Sequence, residues 1–271
     1  MKKYPFIISD FDGTLFRSDH TIDKETIKTI QKFVNAGGIF VISSGRPLQS
    51  VLKIAKELGL KGLVVAFNGA VIADIETEEV LFQRAFSPKE TADVCNLLQE
   101  EGMYVQIYEL DRYYASERTD YLGQYEKVIG QKAILSDAPI AEFALQNQIS
   151  SVKVLTFVAP EERDALLKKI SEKVGDTCYV TSGAKYLIEI CVKGVTKGGA
   201  VEFLSKHYNI AIEDILAIGD SPNDLPMLRL AGKGIAVKNA DKSLQEEIFT
   251  YGYTNDENAV GRIIEEYGIT Q

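Results

Sequence analysis

Two aspartates near the start of the chain have the residue types and the spacing of a nucleophile and a proton-transfer group. Asp10 and Asp12 lie two residues apart, after Ser9 and the apolar run at residues 6–8. One carboxylate can attack an electrophile and form a covalent intermediate. The other can protonate a leaving oxygen and later take a proton from water. Gly13 follows the pair and permits a sharp turn. The spacing therefore predicts a catalytic pair.

A third aspartate, far along the chain, would complete a metal site. Asp220 follows the apolar run at residues 215–218, and together with Asp10 it supplies the oxygen ligands that Mg²⁺ prefers. A carboxylate about 4 Å from a phosphate is opposed by about 4 kcal/mol per unit charge at an effective dielectric of about 20. Attack therefore needs positive charge nearby, and Mg²⁺ and Lys197 are predicted to provide it.

Polar residues that follow apolar runs are predicted to meet at one edge of a sheet. Ser44 and Gly45 follow the run at 39–42, and Asn68 follows the run at 63–67. Ligands of open parallel sheets bind beyond the carboxyl ends of the strands. The Ser44 hydroxyl and the backbone N–H groups around Gly45 would hold phosphate oxygens there. Each of these polar segments alone would be an ordinary turn, and Lys197 alone would be an exposed lysine. The prediction of a site therefore depends on their occurring together.

Alternating strands and helices predict an α/β fold with a doubly wound parallel sheet, built from two separated parts of the chain. A long insertion lies between the two parts, and a capping box at Ser87 and Glu90 opens it. The core is predicted at residues 1–83 and 193–271, and the insertion, here called the cap, at 84–192. The expected core strands are 6–9, 39–42, 63–67, 215–218 and 234–237. The expected core helices are one with apolar periodicity over 22–34 and an N-cap at Asp23, then 47–58, 196–207, 224–230 and one from about 258.

The cap is predicted to be a separate α+β unit. Its expected helices are 88–101 and 160–174. Its expected strands are 104–108, 152–158, 178–182 and 187–192, and an irregular tyrosine-rich stretch is expected between the first two. Two short strands, 71–73 and 80–82, are expected just before it.

Four motifs, in chain order, resemble those of the haloacid dehalogenase superfamily: Asp10-Phe11-Asp12-Gly13-Thr14, Ser44-Gly45-Arg46, Thr196-Lys197-Gly198 and Gly219-Asp220-Ser221-Pro222-Asn223-Asp224. The long insertion and the segments 67–70 and 194–198 resemble the Cof-type, class IIB sugar-phosphatase branch. The resemblance covers the whole chain. It implies a magnesium-dependent phosphatase that hydrolyses a small phosphorylated metabolite through an aspartyl-phosphate.

The resemblance also implies a role for each motif residue. Asp10 would be the nucleophile and a metal ligand, and Asp12 would be the acid and base and bind the metal through its backbone carbonyl. Asp220 would ligate the metal and Asp224 would support the metal site. The groups assigned to phosphate or substrate are the Phe11 amide, Ser44, Gly45, Arg46, Lys197 and Asn223.

Composition excludes several other classes of function. A net charge of −9 and a pI near 5.0 disfavour a nucleic-acid partner, which needs clustered basic residues. The apolar runs are of strand length, far short of a membrane span of about 20 residues. Three scattered cysteines without a CxxC pair argue against a disulfide framework or a zinc site, and they predict a cytoplasmic protein. The sequence predicts no oligomeric state.

Some alternatives remain open at this point. A phosphomutase would use the same nucleophile, and a catalytically silent metabolite-binding regulator would keep the site without turnover. His20 and His207 are expected to be structural or surface residues, with a small chance that His20 lines the entrance. The cap tyrosines are expected mainly in packing and rim positions. Glu189 either pairs across a sheet or faces the substrate.

Overall fold

The computed structural model of the protein describes residues 2–269. Its first part alternates strands and helices as predicted, and Asp23 caps the first helix by accepting from the N–H groups of Glu25 and Thr26. The elements are β1 (Phe6–Ser9), α1 (Lys24–Asn35), β2 (Ile39–Ile42), α2 (Leu48–Glu57), β3 (Leu63–Ala66), β4 (Val71–Asp74) and β5 (Val80–Gln83).

The cap region holds more elements than predicted. They are α3 (Pro88–Glu100), β6 (Gln106–Tyr108), β7 (Tyr113–Ala115), α4 (Asp120–Ile129), β8 (Ile134–Leu135), α5 (Ile140–Gln146), β9 (Lys153–Phe157), α6 (Arg163–Val174), β10 (Cys178–Thr181) and β11 (Leu187–Val192). The expectation of an irregular stretch between 108 and 152 is therefore wrong. Thr119 caps α4 through its side chain, and Gly130 ends it in the left-handed conformation.

The last part returns to the core. Its elements are α7 (Lys197–Tyr208), β12 (Ile215–Gly219), α8 (Leu225–Leu230), β13 (Lys233–Ala236), α9 (Lys242–Gln245) and α10 (Ala259–Tyr267). Short 3₁₀ turns lie at 67–69, 212–214, 222–224 and 255–257. No helix within residues 2–269 combines the length and the apolar composition needed to span a bilayer.

The core sheet joins the two separated parts of the chain. Its four strands are parallel in the order β13-β12-β1-β2, and Phe6 pairs with both Ile215 and Ile39. A parallel bridge between Ser43 and Val65 connects β2 to β3, which continues into the antiparallel strands β4 and β5. The β1 side chains are completely or almost completely buried, as expected for a parallel strand covered on both faces.

The second sheet uses strands from the cap alone, in the order β10-β11-β9-β6-β7-β8. Successive side chains of a strand point to opposite faces. Accordingly Val154 and Ile190 pack in an apolar cluster with α3 and α5, whereas Leu155 and Cys191 join the apolar cluster of the core. One face of the cap sheet therefore lies against the core. The boundaries between core and cap, expected after residues 83 and 192, remain predictions.

Candidate active site

Adjacent parallel strands bring Asp10 and Asp220 together. Ser9 at the end of β1 pairs with Ile218 in β12, and the Asp10 N–H donates to the Ile218 carbonyl over 2.9 Å. Carboxylate oxygens of Asp10, Asp220 and Asp224 all lie within 4.8 Å of one another. Three carboxylates at this separation, without histidine or cysteine, fit a hard divalent cation such as Mg²⁺.

Lys197 is the buried cation of this cluster. Its Nζ lies 2.5 Å from Asp10 Oδ1 and 2.6 Å from Asp224 Oδ1, and the side chain is fully buried. Thr196 caps α7, and Lys197 is the first residue of that helix. The backbone of Gly69 approaches so closely that a Cβ there would lie 2.4 Å from the Thr196 carbonyl oxygen. Glycine at position 69 therefore permits the close approach that seats Lys197.

Burial and mutual repulsion control the charge of the cluster. Burial, and then the Asp224 charge, raise the pKa of Asp10 well above its usual value, against the opposing effect of Lys197. The same two causes raise the pKa of Asp220 to about 7. For Lys197, burial lowers the pKa but the Asp10 and Asp224 carboxylates raise it more. One ammonium does not balance three carboxylates, so the cluster favours a further cation.

The three aspartates differ in which of their oxygens are free. Asp224 Oδ2 accepts from the N–H groups of Asp220 and Ser221, so both Asp224 oxygens are engaged. Asp220 accepts from the hydroxyls of Thr14 and Ser221. Asp10 Oδ2 has no hydrogen-bond partner among residues 2–269, and Asp10 lines the cavity. One Asp10 oxygen is thus fixed by Lys197, whereas the other has no hydrogen-bond partner among these residues.

Asp12 is paired with Arg46. The Arg46 Nε lies 2.7 Å from Asp12 Oδ2, and Nη2 lies 2.6 Å from Oδ1. Arg46 Nη1 also donates to the carbonyl of Val128 in the cap over 3.0 Å. The guanidinium, assigned from the sequence to phosphate or substrate, therefore connects Asp12 to the cap in this arrangement.

A cavity of about 910 Å³ lies between the core and the cap. Of the predicted site residues, it is lined by Asp10, Asp12, Ser44, Gly45, Arg46, Asp220 and Asn223. Phe11, Lys197 and Asp224 are buried and do not belong to its lining. His20 lines the cavity, although a structural or surface position was the main expectation for it. Tyr125 and Tyr186 line the cavity from the cap.

Sequence reasoning did not identify Lys153 or the side-chain bond of Asn68 as parts of the site, although it did consider Glu189. Glu189 pairs with Lys153 over 2.7 Å, which is the first of the two positions considered for it, and it also lines the cavity. Lys153 was not identified, although a lysine inside an otherwise apolar strand is a signal that could have found it. Asn68 was noted only for its place after a strand, and its side chain donates to Glu189 over 3.0 Å.

Comparison with known proteins places the chain in a family. The family model of haloacid dehalogenase-like hydrolases matches residues 7–264. A Haemophilus influenzae protein is 30% identical over 264 residues, which cover 97% of this chain and 98% of that protein. The Bacillus subtilis enzyme named 5-amino-6-(5-phospho-D-ribitylamino)uracil phosphatase YwtE is 29% identical over 283 residues, 96% of each chain.

A solved structure agrees with this placement. A haloacid dehalogenase-like hydrolase from Bacillus subtilis superposes with a TM-score of 0.85 at 26% identity, covering 96% of this chain and 99% of that one. The chain therefore belongs to the haloacid dehalogenase-like hydrolases. The resemblance and the α/β fold predicted from the sequence are both confirmed.

Proposed function

We propose that the protein is a magnesium-dependent phosphatase that hydrolyses a small phosphorylated metabolite through an aspartyl-phosphate on Asp10. The observation that carries the proposal is the state of Asp10, a cavity-lining residue whose carboxylate has one oxygen held by Lys197 and the other without a hydrogen-bond partner among residues 2–269. The phosphatase name of the Bacillus subtilis relative supports the same reaction class.

The proposed reaction has two steps. In the first, Asp10 Oδ2 forms a bond to phosphorus, the bond from phosphorus to the ester oxygen breaks, and Asp12 gives its proton to the departing alcohol. In the second, Asp12 takes a proton from water, whose oxygen attacks phosphorus and releases phosphate from Asp10. Lys197 orients Asp10 and offsets part of the negative charge that gathers there.

Asp10 and Asp220 would hold Mg²⁺, with the Asp12 carbonyl as a further ligand and Asp224 supporting the site. The ion would screen the repulsion between the Asp10 carboxylate and the phosphate. Ser44, Gly45 and Asn223 lie at the same cavity and would hold the phosphate oxygens. The buried, unpaired cysteines accord with a cytoplasmic location, which we also propose.

The test is phosphate release from a panel of phosphorylated metabolites, with Mg²⁺ and after thorough chelation. Chelation should abolish release and Mg²⁺ should restore it. Full activity after chelation would contradict the metal assignment. A phosphomutase would require a bisphosphate activator and release little phosphate, whereas a silent regulator would bind metabolites and release none.

A further inference from the structure

A buried ion pair lies on the face of the cap sheet that meets the core. Lys153 in β9 and Glu189 in β11 are 0% and 4% exposed at their side chains, and the Lys153 Nζ is 2.7 Å from Glu189 Oε1. Burial lowers the pKa of Lys153, but the Glu189 carboxylate raises it more, so the ammonium stays charged. The Tyr108 ring also lies 4.8 Å from Nζ. Such a pair is costly to bury unless its remaining hydrogen bonds are satisfied.

Those remaining hydrogen bonds run into the phosphate side of the core. Lys153 Nζ donates to the Gly45 carbonyl over 2.7 Å. Asn68 Nδ2 donates to Glu189 Oε2 over 3.0 Å, and Asn223 Nδ2 donates to Asn68 Oδ1 over 2.9 Å. All of these side chains are buried, and Glu189 and Asn223 line the cavity. The cap is therefore connected to two groups assigned to phosphate, directly to Gly45 and through Asn68 to Asn223.

The carboxylate fixes the direction of this chain of bonds. An ionised carboxylate only accepts, so Asn68 must turn its NH₂ toward Glu189 and its carbonyl toward Asn223. Asn223 must then present its NH₂ to Asn68. A Cβ at Gly183, in the cavity wall, would lie 2.9 Å from Asn223 Nδ2, so this nitrogen lies beside the cavity. The second hydrogen of Asn223 Nδ2 is therefore available to a ligand. The other amide atom, Asn223 Oδ1, is buried without a partner among residues 2–269.

We propose that Glu189, held by Lys153, is a positioning residue that sets the amide orientation of Asn223 and so completes the phosphate site when the cap lies against the core. This inference rests on the proposed function, because it requires Asn223 to face phosphate. The two cap residues Lys153 and Glu189 thus contribute to phosphate binding without contacting the organic group of the substrate.

The decisive variant is Glu189→Gln. Glutamine has one carbonyl and one NH₂, and the Lys153 ammonium requires the carbonyl. The NH₂ must then face Asn68, which turns over, and Asn223 must turn over in its place. The carbonyl of Asn223, instead of its NH₂, then lies beside phosphate. We expect the affinity for inorganic phosphate, measured by titration calorimetry with Mg²⁺ present, to fall by about 10-fold or more, since hydrogen bonds to charged groups are among the strong ones.

The matched control is the double variant Lys153→Met/Glu189→Gln. Without the ammonium, the introduced glutamine can turn its carbonyl to Asn68 and restore the original direction of both amides. Buried ion pairs are often replaced by neutral residues without loss of stability. Phosphate affinity should return to within about threefold of that of the unmodified protein. If Lys153 and Glu189 served only in packing, the second substitution would not restore the affinity. The Lys153–Gly45 bond is absent from this variant, so rescue also separates the amide effect from that contact.

A second route tests the same link if Glu189→Gln fails to fold. Asn68 has a φ of 58°, a conformation that glycine adopts freely, so Asn68→Gly removes the amide bridge without backbone strain. It should weaken phosphate binding to a similar extent. Asn209→Gly is its control, because Asn209 has a φ of 51° and lies at the exposed end of α7. Thermal unfolding of each variant reports the fold.

The outcomes separate this inference from the proposed function. Unchanged phosphate affinity in both Glu189→Gln and Asn68→Gly overturns the positioning role, as does a double variant no better than Glu189→Gln. Hydrolysis of p-nitrophenyl phosphate by the unmodified protein tests the phosphatase assignment independently. If that hydrolysis is absent while the affinities change as expected, the proposed function fails and the positioning of Asn223 stands.

Discussion

Asp10 and Asp12 are two residues apart, yet their surroundings prepare them for different work. Lys197 holds one oxygen of Asp10, and the other has no hydrogen-bond partner among residues 2–269. Arg46 holds both oxygens of Asp12, whose side chain is 41% exposed. The proton transfer proposed for Asp12 therefore requires it to share or leave its contact with Arg46, whereas the attack proposed for Asp10 requires no such exchange of partners.

Asparagine at each position should separate these roles. Asp10→Asn removes the charged nucleophile and nearly preserves its shape, so we expect turnover to disappear while substrate still binds. Asp12→Asn removes a proton-transfer group, which typically contributes about 10²- to 10⁴-fold, and the second step should lose most because water is a weak nucleophile. The measurement is steady-state turnover of each variant together with substrate binding.

Intact-protein mass after rapid acid quench identifies the intermediate. A good leaving group such as p-nitrophenolate needs little protonation, so Asp12→Asn should accumulate a phosphoryl adduct that maps to Asp10. Near-normal turnover of Asp10→Asn, or an adduct on another residue, would require the mechanism to be abandoned.

The geometry of parallel sheets decides which site residues could be predicted from the sequence. Asp10, Ser44 and Asp220 end neighbouring strands, so their meeting at one cavity could be predicted. The pairing of Arg46 with Asp12 depends on where a long side chain lies and on the cap carbonyl of Val128, which strand order does not determine. Lys153 and Glu189 are brought together only by the pairing of β9 with β11.

At the scale of elements, the turn after β1 passes close to a carboxylate of the aspartate cluster. Gly13 has a φ of 79°, and a Cβ at this position would lie 2.5 Å from Asp220 Oδ2. Only glycine avoids both the backbone strain and the collision with this carboxylate. The turn therefore sets the room available to Asp220 and, through it, to a bound cation.

Alanine at this turn should weaken metal binding. In Gly13→Ala the strain of a left-handed residue costs about 1–2 kcal/mol of folding stability, and displacement of Asp220 adds to it. Mg²⁺ affinity, measured by calorimetry, should fall by about 10-fold. Gly102→Ala is the control, since Gly102 has a φ of 72° and nothing within 4 Å of its added Cβ.

Equal losses of stability and equal Mg²⁺ affinity in the two variants would show that the approach of Gly13 to Asp220 has no bearing on the metal. The difference in Mg²⁺ affinity between Gly13→Ala and Gly102→Ala reports the contact of the added Cβ with Asp220, because the backbone strain is common to both variants.

Helix α4 shows why the cap was harder to predict than the core. Its buried residues Leu122, Tyr125 and Ile129 have helical spacing, and Thr119 and Gly130 are ordinary end signals. Gly123 inside the helix and the many tyrosines around it weaken that pattern, because glycine and aromatic residues are poor helix formers. Packing of α4 against the core supplies the stability that its composition lacks.

At the scale of the whole molecule, several contacts hold the cap against the core. Arg163 at the start of α6 pairs with Asp241 at the start of α9 over 2.8 Å, and the Asn223 N–H donates to the Ser182 carbonyl. Together with the Arg46 and Lys153 contacts, these bonds define a closed arrangement. Gly194, with a φ of 84° and nothing around its Cβ position, lies just after the second predicted boundary and is suited to be a pivot.

We expect the cap to move as a body about links near residues 83 and 193, since a closed site must open to exchange substrate and product. Asp241→Asn weakens the Arg163 contact across the two parts and keeps a residue that can cap α9. It should increase the radius of gyration of the ligand-free protein in solution scattering. Asp164→Asn is the control, because Asp164 pairs with Arg163 within the cap.

Identical scattering curves for Asp241→Asn and the unmodified protein, with and without inorganic phosphate, would contradict a hinged cap. Structures with and without ligand that superpose over both parts at one unchanged angle would do the same.

The strand order of the core also bears on how the chain acquires its structure during synthesis. Strand β1 is synthesised long before its neighbour β12, so Phe6 must wait for its partner Ile215. All the strands of the cap sheet lie between them in sequence and find their partners locally. Because early-made, locally paired segments tend to order first, we expect the cap to form on the nascent chain before the core sheet is complete.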